Sequence, residues 1–518
     1  MKDKQRSYLT SAAILAAGGI FAKLLGIAFK SPLASIIGDY GLGLYGYPYP
    51  LYTTFLAISV AGLPIAVSKM IAERVSLGNY RGAYKVFRVS FIALLVLGTF
   101  GSGMMFLGAQ FFIDAFKWPQ ETYYSILALS FAPFFVALIS SLRGFFQGMQ
   151  RMTFSSGSQI VEQIARVGIG LTLAILLTKW FGISYGAAGA TFGATAGGIA
   201  ALLYLGISYF RFKKKSAHLL EEQTVEQTET GRKIFKSLLF LAIPIACGSL
   251  INTVMDLINS ATLSTCLQNA GISQELATVL YAQLEQKAQT LINVPLVIGA
   301  ALSSSLVPSI SESVVRGDQQ KIVKKTTLAV KIAFLVSIPS AVGLSVLSEP
   351  IMSLVFLGKS SGYEMLTWLA YVVIFTIVMS TLQGILQGSG RFYKPLKNMA
   401  FGALLKFLLN LALISRPEIG VYGAIASSII ASFVIFLLNY MDVKKYVGMN
   451  KIAWNVIKTI FAAVVMGIVA KFGYGFLATY MDYKIAVLIT VAISAVVYFA
   501  IIYFTKAITK EEMKEVRG

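Results

Sequence analysis

Eight basic residues interrupt the apolar runs of this 518-residue sequence: Lys23, Lys30, Lys69, Arg166, Lys287, Lys331, Lys406 and Lys458. Lys and Arg in such places suit a dense anion. Both give charge-assisted hydrogen bonds, and Arg often gives two at once. A cation facing lipid at mid-membrane costs roughly 2.5–3.5 kcal/mol. It must therefore meet a watery cavity, a carboxylate or a ligand, or lie near a helix end and reach the interface. Lys69, Lys331 and Lys458 sit near the ends of their runs and are expected to reach the interface. Lys23, Arg166, Lys287 and Lys406 have no such escape, and Lys30 precedes Ser31-Pro32, where a helix can break.

Carboxylates complete the set. Glu162 and Arg166 are spaced i,i+4, so they share a helix face and form either an internal ion pair or part of a binding site. Asp256 is a carboxylate within an apolar run, a candidate for carrying a coupling ion or for pairing with Lys23 or Lys287. Arg143 ends its run and is expected to organise a gate or loop. Lys23, Lys30, Glu162, Arg166 and Lys287 are the substrate-binding candidates.

The chemistry of an enzyme is absent from this list. The single histidine, His218, lies in a polar stretch among Glu221, Glu222, Glu226 and Glu229 and reads as a solvated loop residue. Cys247 and Cys266 offer neither a disulfide framework nor metal-ligand spacing. No phosphate-binding loop, metal motif or paired-carboxylate site stands out. No cofactor is expected; energy would come from Na+ or H+ coupling or from the membrane potential.

The elements that must position these residues are membrane helices. The sequence is 56% apolar and 13% charged, against about 25% charged in soluble domains. Fourteen apolar segments are long enough to span a bilayer. The basic start runs into the first without a signal-peptide cleavage pattern, so that segment reads as an uncleaved first helix. With the N-terminus inside, thirty Lys and Arg fall in inside segments and six in outside segments. Most of the net charge of +21 is therefore a topology signal, both termini are expected in the cytoplasm, and a nucleic-acid partner is excluded. Tyr40, Tyr45, Tyr47 and Tyr49, with Pro48 and Pro50, read as an interfacial aromatic belt.

The sequence also repeats itself. Residues 140–152 and 380–392 share the frame S-x-L-x-G-x-x-Q-G-x-x-R at an offset of 240. Ile71–Gly78 matches Ile310–Gly317 at an offset of 239. An even number of helices separates the copies, so the halves share one orientation, as in transporters built from parallel repeats. The expectation is an all-α polytopic membrane protein of about fourteen helices. It comprises a six-helix bundle (1–212), a cytoplasmic linker (213–234), a second six-helix bundle (235–445), and two further helices with a tail (446–518).

Four stretches carry a family resemblance: Phe21-Ala22-Lys23-Leu24-Leu25-Gly26, Gly62–Lys69, Leu142–Gly148 and Ser158–Arg166. They resemble the polysaccharide-flippase branch of the MOP exporter superfamily, near the Gram-positive stage V sporulation protein B group and the MurJ-type lipid II flippases. The resemblance spans essentially the whole chain. It implies a bacterial cell-membrane flippase that moves an undecaprenyl-pyrophosphate-linked glycan to the outer leaflet, with cell-wall synthesis proteins as further partners. It implies a cationic cavity that receives the pyrophosphate. Lys23 stands where relatives carry an essential arginine, and Lys287 lies about one turn from a second basic position.

Two other readings remain open at this stage: a MATE-type cation-coupled drug exporter using Asp256, and a non-transporting scaffold for envelope synthesis or sporulation. The sign of the cavity separates the first from the flippase. Cationic drugs want carboxylates and aromatic rings, whereas a pyrophosphate wants Lys and Arg.

Overall fold

The structure, a computed structural model, describes residues 25–26, 28–60, 62–215 and 229–508. Lys23 and His218 lie outside the described residues. All regular structure among them is helical, as lipid requires, because helices satisfy their own backbone groups. The first unit contains α1 (28–46), α2 (Pro48–Val60), α3 (Leu63–Ser76), α4 (Tyr80–Leu107), α5 (Ala109–Phe116), α6 (Thr122–Ser130), α7 (Ala132–Gly148), α8 (Met152–Phe181) and α9 (Ile183–Lys215). Next come α10 (Gly231–Asn269) and α11 (Gln274–Tyr281). The first unit takes α10 as far as Thr265 and Gln274–Val279; the second takes Cys266–Ser273 and the chain from Leu280.

The second unit opens on a π-helical turn, Ala282–Ala288, and continues as α12 (Gln289–Val315), α13 (Gln319–Val346), α14 (Ser348–Val355), α15 (Tyr363–Leu369), α16 (Val372–Gly388), α17 (Tyr393–Ile414), α18 (Val421–Tyr446), α19 (Ala453–Tyr480) and α20 (Tyr483–Phe504). Among the described residues, eleven helices are long and apolar enough to cross a membrane, or twelve if the pair α15–α16, bent by 42°, forms one span. The expected count of fourteen is not reached there.

The internal repeat is visible as matched geometry inside each unit. In lipid, helix association depends on close packing rather than on apolar transfer, so small residues mark the interfaces. A Cβ on Gly144 of α7 would stand 3.0 Å from the Pro64 carbonyl of α3, and one on Gly148 would stand 2.8 Å from that of Ser68. In the second unit a Cβ on Gly384 of α16 would meet the Ser303 carbonyl of α12 at 2.6 Å, and one on Gly388 would meet that of Val307 at 2.8 Å. The shared frame thus encodes one backbone-to-backbone contact used twice.

The turns repeat as well. Gly78 and Gly317 both adopt positive φ, 72° and 68°, a conformation that glycine enters without a Cβ penalty. Each precedes a helix cap: Asn79 Oδ1 accepts from Gly82 N at 2.7 Å, and Asp318 Oδ1 accepts from Lys321 N at 3.0 Å. The two final helices close onto α13. Gly467 of α19 lies against Val342, and Tyr498 Oη of α20 donates to the Leu335 carbonyl at 2.7 Å.

Candidate functional site

Glycines of α9 position the charged face of α8. A Cβ on Gly189 would fall 2.9 Å from Leu173, one on Gly193 2.6 Å from the Arg166 carbonyl, and one on Gly197 2.6 Å from the Glu162 carbonyl. Spacings of four and four put these glycines on one stripe of α9, and the α8 backbone lies directly on it. Glu162 and Arg166 are therefore held at a helix interface rather than against lipid.

Of the two readings of Glu162 and Arg166, the internal ion pair does not form. Glu162 Oε2 accepts from Arg143 Nη2 of α7 at 2.7 Å, and Arg143 Nε donates to Ser158 Oγ at 2.8 Å. The side chains of Arg143 and Glu162 are only 17% and 20% exposed. Arg143 is thus clamped by two residues of α8, four apart, and ties α7 to α8 through its side chain. Because Glu162 is taken, Arg166 turns elsewhere: its Nη2 donates to Tyr49 Oη at 3.0 Å, and its guanidinium lies 5.3 Å from the Tyr49 ring centre. No carboxylate lies within ion-pairing reach of Arg166 among the described residues. The group of Arg143, Glu162 and Arg166 carries a formal +1 inside a membrane span.

Tyrosines line the approach to Arg166. Tyr45 of α1 packs on Tyr49 of α2 at 4.8 Å between ring centres, and Tyr49 meets Tyr52 edge-on at 6.2 Å. Tyr45 and Tyr47 are almost wholly buried, at 2% and 0%. For Tyr45 and Tyr47 that corrects the reading as an interfacial belt: Tyr47 stacks on Trp118 at 5.1 Å and Tyr45 packs on Phe29 at 5.9 Å, both inside the first unit. The small residues between them, Gly41, Gly43 and Gly46, are the signal that neighbours come close here. Lys30 follows Phe29 on α1 and is half-buried. Asp256 is exposed on α10, and Asn259, one turn on, is buried.

The second unit lacks this arrangement. By the 240-residue offset Arg143, Ser158, Glu162 and Arg166 correspond to Gln383, Asn398, Gly402 and Lys406. Where α9 has Gly197 facing Glu162, α18 has Ile435 facing Gly402, with its side chain filling the place a Cβ on Gly402 would take. Small and large have exchanged helices, and the carboxylate is gone. Asn398 Nδ2 bonds Asn439 Oδ1 at 2.8 Å and Asp442 Oδ2 at 2.9 Å instead. Lys406 is 7% exposed.

Lys287 sits in the π-helical turn, fully buried, with Nζ donating to Ser361 Oγ at 2.7 Å and lying 5.5 Å from the Phe356 ring centre. π-Turns are frequent at functional positions. Lys331, expected to reach the interface, is instead 6% exposed in α13. Lys69 behaves as expected, with its side chain 58% exposed and 3.9 Å from Glu73. The sequence reading missed Tyr49 and Ser158 as partners of the two arginines; the i,i+4 step from Ser158 to Glu162 was the available sign.

Comparison with known proteins defines the class. Solved structures of the MOP superfamily share the fold: an inward-facing MATE-family multidrug resistance transporter gives a TM-score of 0.67 at 18% identity, covering 82% of this chain and 95% of that one. The lipid II flippase MurJ in an inward closed conformation gives 0.65 at 17% identity, covering 95% and 99%. Residues 8–314 match the family described as polysaccharide biosynthesis protein, and the chain belongs to that family. Residues 285–412 match the MatE family. Among curated relatives, stage V sporulation protein B of Bacillus subtilis (strain 168) is 25% identical over 512 residues, covering 99% of this chain and 98% of its own. Lipid II flippase MurJ of the same organism is 27% identical, covering 93% and 92%. The chain is a multi-pass membrane protein of this family.

Proposed function

We propose that this chain is a flippase for an undecaprenyl-pyrophosphate-linked cell-wall precursor, lipid II or a related lipid-linked oligosaccharide. It moves the headgroup from the inner to the outer leaflet by alternating access. The observation that carries this reading is Arg166: a guanidinium in a membrane span, held by a tyrosine and by no carboxylate among the described residues. A guanidinium has five N–H donors, and a phosphate oxygen is their natural acceptor. Glu162 is already neutralised by Arg143 and does not repel an incoming anion. Similarity to a lipid II flippase over nearly the whole chain supports the same substrate class.

Lys23 and Lys30 are the further basic groups proposed for the headgroup in the first unit, and Lys287 in the second. Coupling is proposed to Na+ or H+, with Asp256 as the candidate carboxylate, or to the membrane potential. The termini are proposed to lie in the cytoplasm of a bacterial cell. The experiment is reconstitution into vesicles with fluorescently labelled lipid II and, separately, an unrelated undecaprenyl-linked glycan. Outer-leaflet delivery of lipid II, lost on Lys23→Ala or Lys287→Ala with the protein still in the membrane, is the expected result. No translocation of either lipid would favour the scaffold reading. The match of residues 285–412 to the MatE family keeps a drug exporter as the second reading; uptake of cationic dyes without lipid translocation would favour it.

A further inference from the structure

Three cations converge on one ring at the membrane boundary of the second unit. Arg391 Cζ, Lys394 Nζ and Lys445 Nζ lie 4.1, 4.9 and 5.3 Å from the centre of the Tyr446 ring. The positive-inside bias explains why basic residues occur at these helix ends. It does not explain why three of them crowd one aromatic side chain, because like charges at such separations repel. One carboxylate answers them: Asp442, 3.7 Å from Lys394. Arg391 and Lys394 also stand at the start of α17, the end of a helix where cations are unfavourable. The same face of α18 carries Asn439, whose buried Nδ2 donates to nothing among the described residues.

Exposed apolar side chains adjoin this charge. Phe392 and Tyr393 are 60% and 78% exposed, and Met441 is 58% exposed. A cationic cluster at the rim of two spans, skirted by exposed aromatic and aliphatic side chains, matches an anionic lipid: phosphate above, acyl chains below. We propose that Arg391, Lys394, Lys445 and Tyr446 form a binding site for the phosphate of an anionic membrane phospholipid. The site is distinct from the Arg166 group, which lies in the first unit. The bound phosphate supplies the charge that Asp442 alone does not, and it anchors the adjoining ends of α17 and α18 at the bilayer surface.

The test is native mass spectrometry of the full chain in detergent with phosphatidylglycerol or phosphatidylcholine of matched acyl chains. The expected result is retention of phosphatidylglycerol at least about fivefold above phosphatidylcholine. Arg391→Gln/Lys394→Gln/Lys445→Gln should bring the two lipids level, whereas Lys397→Gln/Lys444→Gln/Lys451→Gln, which removes the same charge away from the ring, should leave the preference intact. If the first triple variant does not fold, Tyr446→Leu keeps every charge but disperses the cluster, and should weaken the preference about threefold. Equal retention of the two lipids by the unmodified chain, or equal loss in both triple variants, overturns the proposal. Displacement of phosphatidylglycerol by millimolar inorganic phosphate overturns the lipid as ligand in favour of a soluble anion.

Discussion

Glu162 turns its carboxylate 2.7 Å from Arg143 on α7 and away from Arg166, one turn along its own helix. That choice leaves Arg166 as a cation that donates to Tyr49 and faces tyrosines rather than a carboxylate. The first consequence is a coupling between α7 and α8. Arg143→Gln leaves a half-hidden carboxylate without its cation and should cost about 1–3 kcal/mol. Arg143→Gln/Glu162→Gln should recover part of that loss, giving a coupling of about 0.5–3 kcal/mol. Thermal unfolding of the four proteins of this cycle in detergent measures it.

The exchange of small and large residues between the units gives a second prediction. Gly197→Ile should destabilise by about 1–3 kcal/mol or more, because its Cβ already falls 2.6 Å from the Glu162 carbonyl. Glu162→Gly/Gly197→Ile copies the residue types of Gly402 and Ile435 but should regain little of the unfolding temperature, because the carbonyl that the Cβ meets stays in place. Transport should stay lost in the double variant, since Arg143 then has no carboxylate to hold it.

Tyr49 both accepts a hydrogen bond from Arg166 and lies under its charge. Tyr49→Phe keeps the ring and should lose about 1–2 kcal/mol of stability. Tyr49→Leu removes the ring as well and should lose about 0.5–1 kcal/mol more. The order Tyr, Phe, Leu in unfolding temperature checks this; equal values for Phe and Leu would remove the ring from the account.

Lys287 is fully buried, and a linear apolar side chain of similar length can take its place. Lys287→Met should leave the unfolding temperature unchanged or raise it, because a buried charge is replaced by an apolar group. Lipid translocation in vesicles should nevertheless fall by about tenfold or more. Unchanged translocation would leave Lys287 a structural role alone, with Ser361 and Phe356 among its partners.

Much of the fold was legible in the residues. The frame around Gly144 and Gly148 recurs around Gly384 and Gly388, and both copies pack a helix backbone against its neighbour in the same way. Asn79 and Asp318, each after a glycine of positive φ, are the caps that the matched turns called for. The site was legible only in part. Arg143, Glu162 and Arg166 are visible as charges in apolar runs, but an i,i+4 spacing speaks for one helix alone. It contains nothing about the arginine arriving from α7 or the tyrosine from α2. The tyrosines misled for a related reason: aromatic residues near a proline pair fit a membrane interface and a packed interior equally well, and only the close glycines favour the interior. Lys287 meets Phe356 and Ser361, which arrive from a turn far along the chain, so no local pattern announces its burial.

The central claim is that Arg166 supplies the charge that receives a lipid-linked pyrophosphate. The most direct test is the rate of labelled lipid II translocation in vesicles by the unmodified chain and by Arg166→Gln, a substitution that retains a donor toward Tyr49. The account predicts translocation by the unmodified chain and a fall of about tenfold or more in the variant, with the unfolding temperature nearly unchanged. Translocation by Arg166→Gln at the unmodified rate would contradict it.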